Sequence, residues 1–436
     1  MPARVLLEGC QLMLSEGTGI ATYACNLAAA VSANGYAADV LVGTDKKLNP
    51  NEPAANAVSL FDAVRPVPWG PMRTRLRRQF GAPTGIRAYE ASLSTVSDPM
   101  AARFDGFDRV LAATDLDALA RLHFARHRKP AAVKLPETPA LFHTTQPIPL
   151  RVAGCPNVYT IHDLVPLKLP SSTRDNKRYV AGMLAHLARR ADHIVTVSEF
   201  SRRELIDYFR IDETRVTNTY QAVALPPKAL AWTNDEIARL VESITGIGAH
   251  EYFLFVGAIE PKKNLSRLID AYAASGSQYP LLIAGGLAWQ YDEELQKIGD
   301  ERFLTYELNG NTAKPRRRVR RLSYLPREHL VALMRGARAL LFPSLYEGFG
   351  LPMLEAMSVG TPVMTSNVTS LPEVAGDAAL LVDPLDTDDI ARGIRVLDSD
   401  GDLRAELSRR GLQRAALFPP EAYRQRVAAL YRAVIG

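Results

Sequence analysis

Two carboxylates, Glu347 and Glu355, flank a glycine-rich turn in the stretch EGFGLPMLEAMSVGTPV. An ionised carboxylate accepts hydrogen bonds from the paired hydroxyls of a polyol, and the open amides of a glycine turn receive phosphate oxygens. The pattern suits a ligand whose two polyols are joined through phosphates. Glu347 would serve one polyol from the loop, and Glu355 the other from the first turn of the following helix. The amides of Phe349, Gly350 and Leu351 would take the phosphates. Pro352 suits the start of that helix, Gly360 its end, and the helix dipole favours a carboxylate near its start. The plainer alternative is a solvated Glu347 and a Glu355 that only stabilises the helix.

Other loops carry compatible chemistry. In FVGAIEPKKNLSRL, Lys262 and Lys263 follow an apolar run and precede a helical pattern, where lysines neutralise a diphosphate or simply face solvent. In VYTIHDLVP, His162 and Asp163 follow a strand; the imidazole can donate, accept or carry a proton, or be structural. His143 has the same placement with weaker company. In SEGTGIATY, Gly17 and Gly19 flank Thr18 before a helix, which suits either phosphate contact or an ordinary loop. The third glycine of a dinucleotide fingerprint is missing, which disfavours a Rossmann dehydrogenase. In TVSEFSRREL, Ser201 with Glu204 reads as a capping box, and Ser198 caps equally well or faces the cleft. Asp115 and Asp117 have the spacing of a metal-binding Asp-x-Asp pair, but Asp115 is also placed to cap a helix beginning at Leu116.

Positioning these loops requires alternating strands and helices. Apolar runs predict strands at Arg4–Glu8, Asp39–Val42, Arg109–Ala113, Ala140–His143, Val158–Ile161 and His193–Val197. A second set lies at Tyr252–Val256, Pro280–Ala284, Ala339–Phe342, Pro362–Thr365 and Ala379–Val382. Many do not alternate, as expected of strands covered on both faces. Helical patterns intervene at Ile20–Ser32, Ser201–Tyr208, Leu265–Ala274 and Arg327–Gly336. The class is therefore α/β, with doubly wound parallel sheets whose ligands sit at the carboxyl ends of the strands. The chain of 436 residues, 47% apolar, suits two domains. Residues 1–224 read as the first and 251–415 as the second, with a linker at 225–250. A helix at 416–436 either crosses back to the first domain or closes the second.

Cys10, Cys25 and Cys155 are too scattered for a disulfide framework or a metal site and read as small buried hydrophobes in a reducing cytoplasm. The N-terminus reads as a strand rather than a signal peptide, and no apolar run approaches the ~18 residues of a membrane span. A formal charge of +5 does not demand nucleic acid. Two basic clusters stand out. Arg73, Arg75, Arg77 and Arg78 lie among Leu76 and Phe80, as at a membrane surface or in a solvated loop. Arg316, Arg317, Arg318, Arg320 and Arg321 suit phosphate, acidic lipid or a plain basic surface.

Together PSLYEGFGLPMLEAMSVGTPV, SNVTSLPEVAGDAALLVDP, EPKKN, TIHDLVP and TVSEFS resemble the family-four retaining glycosyltransferases. The resemblance is strongest over Tyr252–Pro384 and weakest at 45–105. It implies the GT-B fold, two Rossmann-like domains facing a cleft. It places Glu347 by the donor sugar, Glu355 on the nucleotide ribose and Lys263 on the diphosphate. It also places His162, with Asp163, by the reacting hexose, Gly17, Thr18 and Gly19 close to the phosphates, and Glu373 near the nucleotide end. Ala258 stands where many relatives have a diphosphate-binding arginine, and Lys262 replaces the arginine of EPRKN, so Lys262 is expected to share that role.

The resemblance implies no cofactor and no metal, a nucleotide-diphosphate sugar as donor, with GDP-mannose favoured, and a saccharide or polyprenyl-linked acceptor. It implies a cytoplasmic protein, with peripheral attachment at the inner membrane face as a further expectation. A GT-B phosphorylase, which would absorb near the visible edge through bound pyridoxal, or a sugar-nucleotide epimerase would keep the fold. A catalytically silent sugar-nucleotide-binding module would bind donor without releasing nucleotide.

Overall fold

A computed structural model describes residues 2–14, 19–62, 82–98, 100–289, 291–309, 312–322 and 325–436. The basic cluster Arg73–Arg78 lies outside the described residues, as do Gly17 and Thr18. The first half builds one sheet from β1 (Arg4–Glu8), β2 (Ala37–Thr44), β3 (Ile86–Ala91), β4 (Arg109–Thr114), β5 (Ala131–Lys134), β6 (Leu141–Thr144), β7 (Leu150–Val152), β8 (Asn157–Thr160), β9 (His193–Thr196) and β10 (Val216–Asn218). Their order is β10-β9-β8-β6-β1-β2-β4-β3-β5-β7. Neighbours run parallel except β3 and β4, so this sheet is mixed rather than wholly parallel.

The second sheet joins β11 (Phe253–Val256), β12 (Leu281–Ala284), β15 (Val319–Leu322), β16 (Ala339–Phe342), β17 (Val363–Ser366) and β18 (Leu380–Val382) in the order β15-β12-β11-β16-β17-β18. All its pairs are parallel. β11, β12, β16 and β17 are buried along their whole length, which is what their unbroken apolar runs require. Between β12 and β15 an antiparallel hairpin, β13 (Leu304–Asn309) with β14 (Thr312–Arg317), stands apart.

Every strand read from an apolar run is present, within a residue or two at its ends. β3, β5, β7 and β10 have no such run: IRAYEA alternates, and AAVK, LRV and VTN are too short to carry a pattern. They form because neighbouring strands offer ladder partners, which is tertiary information.

Three local expectations are corrected. The helix Glu199–Phe209 starts before Ser201, and Ser198 is its cap, accepting from the Ser201 amide at 3.0 Å. Glu204 cannot complete a box at Ser201; instead it meets Lys168 and the Tyr346 hydroxyl. Asp115 precedes the helix Leu116–His127 but sits in the left-handed region at φ 54° without a side-chain capping bond. Two residues on, Asp117 pairs with Arg121 at 2.8 Å. Cys25 is exposed rather than buried, with Cys10 and Cys155 half-buried.

Arginines of the second basic cluster are held by backbone carbonyls. Arg316 donates to Gly246, Arg317 to Gly299 and Arg318 to Ser277. The segment after β10 forms the helices Pro227–Ala231 and Asn234–Thr245, the latter opened by a Thr233–Glu236 capping box. Ile237 and Val241 join a core with Tyr252, Leu333 and Met334 of the second lobe. The last helix, Pro420–Ile435, lies on Gly19–Ala33: Tyr423, Val427, Leu430 and Tyr431 share one core with Tyr23, Leu27 and Val31. The Tyr431 hydroxyl meets Nδ1 of buried His143 at 2.8 Å, and Thr160 meets its Nε2 at 2.9 Å. Burial, followed by the charges of His193 and His162, pushes His143 down to about 3. His143 is thus a neutral core residue tying the last helix to the first lobe.

Candidate functional site

The loops after β8, β11 and β16 converge where the lobes meet. A Cβ on Gly348 would stand 2.3 Å from the His162 carbonyl oxygen and 3.3 Å from the Asp163 Cβ, so the glycine turn of one lobe lies directly on the histidine loop of the other. Gly350 takes φ 93°, a left-handed value that favours glycine, and starts the helix Leu351–Ser358.

Glu347 is buried, and its Oε1 accepts from Lys263 Nζ at 2.6 Å. Burial alone would raise the Glu347 pKa, but the charges of Lys263 and Lys262 outweigh it and hold the group below the usual carboxylate range. Lys262 lies 3.7 Å from Glu260. Burial lowers its pKa, yet the charges of Asp163, Glu347 and Glu260 carry it above the ordinary lysine value. The Glu347 loop is pinned by Ser370, whose hydroxyl donates to the Glu347 carbonyl at 2.9 Å. Asn264 anchors the lysine loop from a left-handed backbone (φ 61°), donating to the carbonyls of Pro343 and Pro384 at 3.0 and 2.7 Å.

Across the cleft, His162 Nε2 lies 2.8 Å from the Thr145 carbonyl. A carbonyl only accepts, so Nε2 carries the proton and Nδ1 is the acceptor nitrogen. Burial lowers the His162 pKa despite the Thr145 bond and the Asp163 charge, leaving the ring neutral near pH 7. The Tyr23 ring meets it edge-on at 4.9 Å. Thr145 is itself held by Glu8, a fully buried carboxylate at the end of β1, through a 3.0 Å hydroxyl bond. Glu8 thereby helps set the histidine's orientation, a role no local spacing announces. One Asp163 oxygen accepts from the Val165 amide at 3.1 Å.

Glu355 lies in the second turn of Leu351–Ser358, not the first, because that helix begins at Leu351. Its side chain is 12% exposed, and burial raises its pKa despite Arg327, whose guanidinium donates to Oε1 at 2.9 Å. Arg327 also donates to the Ala224 carbonyl at 2.9 Å and reaches Thr22 at 3.4 Å, tying Glu355 to the first lobe. The sequence gives Arg327 no signal because its partners are distant along the chain. Glu373 accepts the Glu199 and Phe200 amides at 2.8 Å each, closing the N-terminus of a first-lobe helix. Phe349 packs against Tyr220 and Phe418 in the interlobe core. Leu351 supplies the first amide of its helix, and Gly19 opens the helix Gly19–Ala33.

Residues 243–414 match the family model "Glycosyl transferases group 1" and residues 87–225 match "Glycosyltransferase Family 4". The chain carries a glycosyl transferases group 1 domain and a glycosyltransferase family 4 domain, arranged in the GT-B fold. Over 272 residues it is 36% identical to the O-antigen chain mannosyltransferase B of Escherichia coli, covering 60% of this chain and 66% of that one. It is 31% identical to the serotype-specific mannosyltransferase WbdA of Escherichia coli, covering 60% of this chain and 31% of that one. The MMP alpha-(1->4)-mannosyltransferase of Mycolicibacterium hassiacum is 28% identical, over 65% of this chain and 66% of its own. The matches thus span 66% or less of these curated relatives.

Among solved structures, sucrose-phosphate synthase from Thermosynechococcus elongatus superposes with a TM-score of 0.64 at 19% identity, covering 99% of each chain. Anabaena HepE in complex with UDP-glucose gives 0.65 at 17% identity, covering 99% of this chain and 100% of that one. At such identities the agreement is one of fold. Among the described residues no helix is long and apolar enough to cross a membrane.

Proposed function

We propose that this glycosyltransferase moves mannose from GDP-mannose to a saccharide or lipid-linked saccharide acceptor, with retention of configuration. The observation that carries the reading is the buried Lys263–Glu347 pair, set at the start of a helix and facing the His162 loop across the cleft. Mannosyltransferases among the relatives support mannose as the sugar. Lys263, Lys262 and the amides at the start of Leu351–Ser358 neutralise the donor diphosphate in a water-poor cleft, where such preorganised charge is most effective. Glu347 holds the sugar's hydroxyls, and Glu355, positioned by Arg327, those of the ribose. The acceptor oxygen bonds to the anomeric carbon on the face from which the diphosphate oxygen departs, and its proton passes to the leaving phosphate. His162 and Asp163 line the position of the hexose, and the neutral ring offers Nδ1 as an acceptor.

The test is nucleotide release from GDP-mannose and UDP-glucose, with mannobiose as acceptor, in the presence and absence of EDTA, with the product anomer read by NMR. Release from GDP-mannose with an α product, insensitive to EDTA, is expected. Melting shifts with nicotinamide or flavin cofactors alone would end the reading. Glu355→Ala should raise the donor KM roughly tenfold or more, the loss of a charge-assisted hydrogen bond. His162→Ala should mainly lower kcat, roughly 100-fold, by loosening the reacting geometry. Equal loss of donor affinity in both variants contradicts this division of roles.

A further inference from the structure

Beside the lysines, between the lobes, lies a cavity of about 470 Å3. Asp163, Arg174 and Asp175 line it from the first lobe, and Glu260, Lys262 and Trp289 from the second. The Trp289 indole N–H donates to Glu260 Oε2 at 3.0 Å. The chain leading to it is pinned to the lysine loop: the Ile259 amide donates to Gly286 at 2.9 Å, and the Ala288 amide donates to Ile259 at 3.2 Å.

The indole has a single polar group, and Glu260 takes it, so what Trp289 offers a ligand is a flat apolar face. A pyranose matches that offer. Its ring carries an apolar C–H face, and the hydroxyls around its rim suit carboxylates such as Asp163 and Asp175. The charges also restrict the ligand. The acids Asp163, Asp175 and Glu260 offset the cations Arg174 and Lys262, and the first and last of these acids already act on Lys262. With Lys262 assigned to the donor diphosphate, Arg174 is the cation left among these lining groups against Asp163 and Asp175, so no surplus positive charge remains for a further phosphate on the acceptor.

We infer that Trp289 is the stacking platform for the acceptor's terminal sugar, and that this groove takes an uncharged pyranose rather than a phosphate-bearing terminus. The inference rests on the transferase reading for its function, but binding alone can test it. Calorimetric titration of the protein with mannobiose, and separately with mannose 6-phosphate, is the primary measurement, run on the wild type, Trp289→Ala and Trp289→Phe. Mannobiose should bind the wild type and bind Trp289→Ala roughly 30-fold more weakly, the scale of a buried tryptophan anchor. Trp289→Phe should recover most of the affinity, GDP binding should stay within about twofold in all three, and mannose 6-phosphate should bind worse than mannobiose.

Mannobiose affinity unchanged in Trp289→Ala overturns the inference, as does GDP affinity falling in parallel, or Trp289→Phe no better than alanine. A wild type that turns over GDP-mannose but binds no neutral saccharide also overturns it, while the transferase reading stands. A wild type that binds mannobiose through Trp289 yet releases no nucleotide from any sugar donor upholds the platform and removes the transferase reading.

Discussion

Lys263→Ala is expected to lower turnover roughly 10²–10³-fold and to destabilise the fold by about 3 kcal/mol at neutral pH. The first effect follows from removing a fixed positive charge where the leaving diphosphate develops its own. The second follows because Glu347 is left buried with its closest partner gone; the two side chains are only 12% and 9% exposed. The pH dependence separates this cause from general damage. In the intact protein the lysines hold the Glu347 pKa below its unfolded value against the upward push of burial. Its charged form therefore contributes stability above the unfolded carboxylate range, and that contribution is lost as pH falls through the folded value. Without Lys263 burial regains ground, the pKa rises, and protonation relieves the variant. The melting-temperature gap between wild type and Lys263→Ala should narrow from pH 8 to pH 5 by this linkage. A gap that stays constant across that range would show that the lysine does not govern this carboxylate.

Gly348→Ala is expected to lower kcat roughly 100-fold while leaving GDP affinity nearly intact. The added methyl would stand 2.3 Å from the His162 carbonyl oxygen, and the obstruction is backbone, which cannot swing aside as a side chain would. The loops must separate by about an ångström, enough to spoil the reacting geometry. The nucleotide contacts proposed for the second lobe do not cross that gap, so equilibrium binding of GDP by calorimetry should change little. A variant with normal kcat would mean the lobes need not meet here during turnover. One that has lost GDP binding would mean the turn itself, not its approach to His162, was damaged.

The strands that present this chemistry were legible because burial on both faces forces unbroken apolar runs, as in FLFV, LLIA and ALLF. The turn at Gly348–Gly350, the proline at the start of its helix and the glycine at its end were likewise local signals. Helix starts were less secure. Ser198 and Ser201 are both competent caps three residues apart, and which one caps depends on where the helix docks. The short strands β5, β7 and β10 carry no pattern of their own and exist through their neighbours.

By itself the sequence determined which residue types stand at the carboxyl end of each strand, since that depends on spacings of a few residues: His162–Asp163, Lys262–Lys263 and Glu347 to Glu355. Only the tertiary structure decided how those groups are used. Lys263 meets Glu347 from 84 residues away, and Arg327 meets Glu355 while reaching Thr22, 305 residues off. Glu373 caps a helix of the other lobe from 174 residues away, and Glu8 steadies the histidine through Thr145. Electrostatic pairing and burial act through space. The charge state of a carboxylate, and hence its proposed role toward a ligand, is fixed by whichever cations the fold brings beside it.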